Sequence, residues 1–174
     1  MRFNPAERQQ LIDRYEKGSE KLRDAFAKVP REAWNWRPGK GKWSVHEVLA
    51  HCADAEMTAA TRIRFLLAQD KPLIQGYDQD EYARTLRYQA RPMAPALRAF
   101  EAARATTAQL LETMTAADWR RAGTHSELGA YPAEKWLEVY AAHAHVHAAQ
   151  IRRNRAAWAS SRRRRGRPRT SRSA

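Results

Sequence analysis

The chain has 174 residues and a formal net charge of +13, and 43% of its residues are hydrophobic. This length and composition predict one globular domain with a continuous core. No apolar run is long enough to span a bilayer or to act as a secretion signal, so we expect a cytoplasmic protein without membrane contact. Cys52 is the only cysteine, which excludes an internal disulfide and a thiolate zinc cage and predicts a thiol packed in the core.

The positive charge is concentrated at the C-terminal end of the chain. Residues 152–174 contain ten arginines and no acid, which leaves a net charge of only +3 for residues 1–151. A mildly basic body argues against a domain built to bind nucleic acid, because such domains carry a strong positive charge on their folded surface. We therefore treat the arginine-rich end as a separate segment.

Helical periodicity covers the first part of the chain. Apolar residues recur at three- and four-residue steps over residues 5–29, which predicts a first helix that ends at a proline. A loop over residues 31–42 follows. A second helix is predicted over residues 45–69, and Ser44 with Glu47 matches the capping-box pattern at its start.

The rest of the chain is also predicted to be helical. Alternation of apolar and polar residues is absent and β-branched residues are scarce, so no strand is expected. Four long helices predict an all-α four-helix bundle, in which metal sites are assembled from inward-facing side chains. The remaining predicted elements are a loop over 70–78, a short helix over 79–87, a third long helix over 95–114, a turn capped by Thr115, a polar loop over 120–131 and a fourth long helix over 132–158.

Two histidines lie four residues apart in the fourth predicted helix. His143 and His147 share one helix face, and Trp136 and Tyr140 on the same stripe indicate that this face points into the core. The spacing allows both imidazoles to bind one metal ion, and His51 on the second helix is the best candidate for a third ligand. From spacing alone, histidines satisfied by hydrogen bonds within the core are an equal alternative.

Four residues are candidates for the surroundings of such an ion. Asp54, one turn after His51, is a candidate to orient that ring, and Glu56 is a candidate general base. For both carboxylates, a solvated or helix-pairing role is the more frequent alternative. Gln150 is expected to line the pocket. His125 is expected either at the mouth of the site or in solvent.

Four other aromatic side chains are assigned no functional role. His46 and His145 are expected to face outward. Trp43 and Trp136 flank the candidate ligands in sequence, but aromatic residues at such spacing usually lie in a core, so no substrate contact is predicted for them. The substrate pocket is left undefined by the sequence.

Three blocks of the sequence together resemble a known family. They are residues 41–56, which include the capping box and His51, residues 123–129, and residues 143–151, which include the histidine pair. In order and spacing they are similar to the DinB-like superfamily of bacterial metal-binding four-helix bundles, also called the damage-inducible or YfiT-like family. The resemblance covers about residues 5–156 and implies an up-down-down-up bundle. It also implies a divalent ion, zinc or nickel, at positions that match His51, His143 and His147.

The same resemblance implies a function. Characterised members include transferases that use low-molecular-weight thiols such as bacillithiol, mycothiol-dependent enzymes, and metal-dependent hydrolases. Three histidines leave a coordination position open for water or a thiol, which favours transferase or hydrolase chemistry on a small-molecule thiol or electrophilic substrate. Family members are frequently dimers, so a homodimer is expected.

Residues 159–174 are predicted to form a disordered arginine-rich tail beside a bundle domain over residues 1–158. Within the tail, residues 162–169 resemble an AT-hook, a short Arg-Gly-Arg-Pro element that enters the minor groove of A·T-rich DNA and would make a weak contact. A solvated tail without a partner is the alternative. The tail supports a second hypothesis, a non-enzymatic, metal-stabilised binding module tethered to nucleic acid.

Overall fold

The computed structural model describes residues 2–165, and four long helices form the framework of the protein. Their ends lie within two residues of the predicted ends, except at the C-terminal end of the last helix. The elements are α1 (Pro5–Ala27), α2 (Val45–Ala68), β1 (Leu73–Ile74), α3 (Gln79–Thr85), α4 (Met93–Glu112), α5 (Ala116–Trp119), β2 (Ala122–His125), β3 (Gly129–Pro132) and α6 (Ala133–Arg165), with two single 3-10 turns at Arg31–Ala33 and Tyr88–Ala90.

Reciprocal capping boxes mark the start of three of the helices. The Ser44 hydroxyl accepts a hydrogen bond from the Glu47 backbone N–H, and the Glu47 carboxylate accepts one from the Ser44 N–H at 2.8 Å. This confirms the predicted capping box of α2. The same reciprocal arrangement begins α1 at Asn4 and α5 at Thr115. Each cap satisfies backbone N–H groups that have no partner within the helix.

The long helices form a ring in which α1 contacts α4 and α6, and α2 contacts the same two helices. Contacts between α1 and α6 advance along both helices, from the Arg14 carbonyl with His145 to the Lys28 carbonyl with Arg155, so these helices are parallel. Hydrogen bonds show in the same way that α2 and α4 are parallel to each other and antiparallel to the first pair. The predicted up-down-down-up order is confirmed.

A polar layer divides the core into two apolar clusters. One cluster includes Trp136 and the other includes Leu49. Between them, Glu56 on α2 and Arg104 on α4 form a fully buried ion pair with an N–O distance of 2.7 Å. The hydroxyl of Tyr15 on α1 donates a hydrogen bond to the same carboxylate. We call Tyr15, Glu56 and Arg104 the polar layer.

The polar layer fits because α1 has a glycine where the arginine crosses it. A Cβ atom added at Gly18 would lie 2.2 Å from an Arg104 guanidinium nitrogen. The guanidinium also donates to the backbone carbonyls of Tyr15 and Tyr140, so one side chain contacts α1, α2 and α6. The layer therefore fixes the spacing of the helices around it.

The prediction that the chain contains no strand was wrong. A small sheet has the order β1-β2-β3, with β1 parallel to β2 and β2 antiparallel to β3. Its strands lie in the two segments predicted as loops, residues 70–78 and 120–131. They are only two or four residues long, too short for the alternation that identifies a strand in a sequence. Pairing of Ile74 with His125 holds His125 beside the bundle.

The last helix continues past its predicted end at Trp158 to Arg165. Arginine is a good helix former, and Arg162 places its guanidinium over the Trp158 ring, 5.9 Å from the ring centroid. The first residues of the segment predicted to be disordered are thus helical. The remainder of that segment, including the Gly-Arg-Pro part of the AT-hook-like element, lies outside the described residues.

Two further predictions concern Cys52 and the membrane. Cys52 is fully buried, as predicted, and burial raises the pKa of its thiol. Within residues 2–165, no helix combines the length and the apolar character that crossing a bilayer requires.

Candidate metal centre

The side chains of His51, His143 and His147 converge between α2 and α6. The Nε2 atoms of His51 and His147 each lie 3.2 Å from the Nε2 atom of His143. One ligand atom from each ring lies within 4.8 Å of the others. Nitrogens about 2.0–2.1 Å from a tetrahedral ion are about 3.4 Å apart, so this spacing is compatible with one shared ion. The structure brings the three candidate ligands together across 92 residues of chain.

The environment keeps all three imidazoles neutral at physiological pH. Burial, reinforced by His147, lowers the pKa of His51 to about 3. Burial lowers the pKa of His143 well below its usual value, and the two neighbouring rings add to this effect. Burial also lowers the pKa of His147, although the hydrogen bond to Gln150 opposes the change. A neutral imidazole keeps the lone pair that binds a metal.

The three histidines differ in the hydrogen bonding of their Nδ1 atoms, the ring nitrogens that do not face one another. The Nδ1 atom of His147 lies 2.9 Å from the Oε1 atom of Gln150, and an amide oxygen only accepts hydrogen bonds. His147 therefore carries its proton on Nδ1 and presents the Nε2 lone pair to the other rings. The Nδ1 atoms of His51 and His143 are buried without a hydrogen-bond partner. A single divalent cation would accept all three converging lone pairs.

Two carboxylates predicted near the ion do not reach it. Asp54 forms an ion pair with Arg91 at 2.7 Å and does not orient His51, because Arg91 offers a charged partner and the neutral ring does not. Glu56 lies in the polar layer, where it pairs α2 with α4 through Arg104. Its helix-pairing role excludes the general-base role, since its carboxylate is fully occupied in the core.

The two histidines expected to face outward have different positions. His46 is buried, and its ring nitrogens lie 2.9 Å from the Asn35 amide oxygen and 2.5 Å from the Arg91 carbonyl oxygen. The expectation for His46 was wrong, because the segments before α2 and α4 cover this part of the helix. His145 is partly buried against α1, with Nε2 2.9 Å from the Arg14 carbonyl oxygen. Neither ring reaches the three-histidine group.

The two tryptophans lie in different environments. Trp136 is fully buried and donates a hydrogen bond to the Ala59 carbonyl, which confirms its predicted core position. Trp43 is only partly buried, and its ring centroid lies 4.9 Å from that of His51. Its indole N–H donates to Asp80 at 2.8 Å. Trp43 thus contacts a candidate ligand from the side of α3.

A cavity of about 210 Å³ borders His51 and His143 on the side of the sheet. His125 is buried in its wall, so the structure favours the mouth of the site over solvent for this residue. Its Nδ1 atom accepts a hydrogen bond from the Glu127 N–H at 3.2 Å, which places the ring proton on Nε2. The other polar residues of the wall are Arg62, Tyr77, Gln79, Glu127, Tyr131 and Tyr140.

Sequence reasoning missed most of this wall. Tyr77 and Tyr131 reach the cavity through the small sheet and its flanking loops, for which the sequence gives no periodic signal. One feature of the sequence could have identified Arg62 as a candidate site residue. It lies among Ala59, Ile63 and Leu66 on the apolar stripe of α2, where an arginine is unusual.

The fold and the site together define a class of protein, a mainly helical four-helix bundle with three converging histidines, two of which, His51 and His143, border a cavity. The sequence model of the DinB superfamily matches residues 14–151. The chain belongs to the DinB superfamily, which confirms the family resemblance.

Relatives with related sequences carry a common name. A protein of Geobacillus thermodenitrificans (strain NG80-2) named "Putative metal-dependent hydrolase" is 35% identical over 140 residues, which cover 79% of each chain. A protein of the same name from Geobacillus kaustophilus (strain HTA426) is 32% identical over 140 residues, again 79% of each chain. YfiT from Bacillus subtilis (strain 168) is 26% identical over 112 residues, 64% of this chain and 63% of YfiT.

Solved structures confirm the fold. The structure of YfiT from Bacillus subtilis, described as an unusual four-helix bundle topology, matches with a TM-score of 0.81 at 23% identity and covers 93% of this chain and 90% of that chain. A mutant of mycothiol-dependent maleylpyruvate isomerase matches with a TM-score of 0.68 at 10% identity, over 83% of this chain and 60% of that chain. At these identities the likeness concerns the fold alone.

Proposed function

We propose that this protein is a metal-dependent enzyme that holds a divalent ion, zinc or nickel, on His51, His143 and His147. The observation that carries the proposal is the convergence of three neutral Nε2 atoms beside a cavity that His51 and His143 border. Three protein ligands and an accessible further position are typical of catalytic rather than structural sites. The relatives named as metal-dependent hydrolases support the same conclusion.

The ion would acidify a water molecule or a low-molecular-weight thiol, which supplies a nucleophile for hydrolase or transferase chemistry. The residues of the cavity would bind and orient the small electrophilic substrate. His125 is neutral, because burial and then Arg62 lower its pKa, and its Nε2–H is a hydrogen-bond donor. This N–H would donate a hydrogen bond to the substrate oxygen on which negative charge develops during the reaction.

Metal content tests the proposal. Untagged wild-type protein is reconstituted with zinc or nickel and measured by elemental mass spectrometry beside His143→Ala. We expect about one ion per chain in the wild type and none in the variant. His145→Ala is the matched control, because it removes a histidine from the same helix outside the group, and it should retain the ion. Absence of metal from the reconstituted wild type would overturn the proposal.

Activity then separates a catalytic ion from a structural one. His51→Ala should abolish hydrolysis of small electrophiles, or thiol transfer to them, while circular dichroism shows a folded bundle. A structural ion gives the opposite pattern, a large loss of thermal stability in the same variant.

A second candidate function rests on the end of α6. Arg162, Arg163 and Arg164 are exposed on its last turn, and further arginines follow in the sequence. Such a segment favours salt-dependent contact with a phosphate backbone. In this alternative the bundle is a metal-stabilised binding module, and the arginine-rich end tethers it to nucleic acid. The expected homodimer stays a prediction.

A further inference from the structure

Arg62 is a buried cation in the wall of the cavity that borders the histidines. Only 9% of the surface of Arg62 is exposed to solvent. One guanidinium nitrogen donates to the Tyr140 hydroxyl at 3.0 Å, and another donates to the Gln75 carbonyl. The Nε atom is buried without a partner. Of five N–H bonds in the guanidinium, these two contacts use two and leave three.

The charge of Arg62 has no carboxylate partner among the described residues. Among residues 2–165, no carboxylate oxygen lies within 4.0 Å of its nitrogens, whereas the other deeply buried arginine of this region, Arg104, is paired with Glu56 at 2.7 Å. Buried charges are normally paired, because taking an uncompensated charge out of water is unfavourable. The nearby histidines are neutral, so they do not balance the charge of Arg62.

The remaining lining does not supply the missing anion. Glu127 is the only acid that borders the cavity, and it is exposed and forms no ion pair with Arg62. Tyr77 places its ring 5.6 Å from the Arg62 guanidinium, and burial raises the pKa of this tyrosine, so its hydroxyl is protonated. Arg62 is therefore the buried charge of the cavity, and tyrosine hydroxyl groups line the wall around it.

We propose that this cavity binds a substrate through a carboxylate, which pairs with Arg62 while the reacting atom faces His51 and His143. The inference rests on the proposed function and names its substrate class. A planar carboxylate matches the guanidinium edge and balances its single charge, which a phosphate dianion exceeds. The volume of about 210 Å³ is below that of pockets for drug-sized ligands, so it accommodates a small acid or the acidic end of a larger molecule.

The test compares two probes of equal shape, 3-mercaptopropionate and its neutral amide, 3-mercaptopropanamide. Isothermal titration calorimetry measures both dissociation constants for metal-loaded and for metal-free protein. Because a charge-assisted hydrogen bond is strong, we expect the wild type to prefer the acid about tenfold or more. Arg62→Gln should abolish this preference, and Arg62→Lys should retain part of it.

Arg64→Gln is the matched control, because it removes the same charge two residues further along α2, where the arginine is exposed. It should keep the preference of the wild type. Equal affinity for acid and amide in the wild type, or a preference that survives Arg62→Gln, overturns the inference. Metal content measured on the same samples separates the two proposals. An Arg62-dependent preference without bound metal refutes the proposed function alone, and bound metal without the preference refutes the inference alone.

Discussion

At the scale of single residues, Gln150 orients one of the candidate ligands. Its hydrogen bond to His147 Nδ1 fixes both the ring orientation and the tautomer, whereas the Nδ1 atoms of His51 and His143 have no such partner. Partners of this kind raise metal affinity because they hold the ring in its binding position before the ion arrives. Gln150 therefore allows a test of the centre that leaves all three histidines in place.

Gln150→Leu removes the acceptor and keeps a side chain of similar size. We expect metal affinity to fall about 10- to 100-fold, while one ion per chain still binds at saturating metal. Competition with a chromogenic chelator measures the affinity. Asp54→Asn is the control, since Asp54 pairs with Arg91 and not with a ligand ring, and it should leave the affinity unchanged. Equal affinity in Gln150→Leu and wild type contradicts the role of Gln150.

The candidate ligands could be predicted from sequence, whereas their surroundings could not. His143 and His147 share a face through helical periodicity, which is a local property of the chain. Arg62 and His125 become neighbours only when the sheet packs against α2, and no local pattern encodes that contact. The same holds for Asp54, whose partner Arg91 approaches from a distant turn.

At the scale of elements, the polar layer connects α4 to both helices that carry the histidines. Arg104 pairs with Glu56 on α2 and donates to the Tyr140 carbonyl on α6 at 3.2 Å. Tyr140 precedes His143 by less than one helical turn. The relative position of α2 and α6, which brings the rings together, therefore depends on a contact in the core.

Glu56→Ala leaves Arg104 buried without its partner. We expect a loss of about 3–5 kcal/mol in the free energy of unfolding, because a buried charge loses its compensation. Urea denaturation of the metal-free protein measures it. Glu101→Ala is the control, since it breaks an ion pair with Arg23 at the surface and should have a much smaller effect. A similar loss in the two variants argues against a strongly coupled polar layer.

The long helices were predictable because each repeats its apolar pattern over several turns. The strands were not, because two or four residues contain too few positions for an alternating pattern. The end of α6 was placed too early, since charge and composition indicated disorder, whereas arginine also favours helix and Trp158 packs against Arg162.

At the scale of the whole molecule, the exposed arginines of α6 and the candidate metal centre lie in different places. The candidate centre is enclosed between α2 and α6, whereas exposed arginines occupy the last turn of α6. A change at the arginine-rich end should therefore leave the metal site intact. This separation allows the enzyme and the nucleic-acid hypotheses to be tested by comparing the full chain with one truncated chain.

Truncation after Trp158 removes seven arginines and leaves the three histidines. If the second candidate function holds, the full chain binds an A·T-rich duplex with an affinity that falls roughly tenfold or more between 50 and 200 mM salt, and the truncated chain loses this binding. Fluorescence anisotropy measures it. Metal content should be equal in both proteins. Equal DNA binding by the truncated chain refutes a tether in this segment.

The order of the three histidines along the chain has a consequence for protein synthesis. His51 precedes His143 by 92 residues, and two of the three rings belong to α6. A ribosome releases the chain from its N-terminal end, so a nascent chain that has exposed α1, α2 and α4 offers an ion only one of the three nitrogens. Closing so long a segment depends on the docking of α6. An ion that binds all three histidines would therefore be captured only after the last helix has been translated.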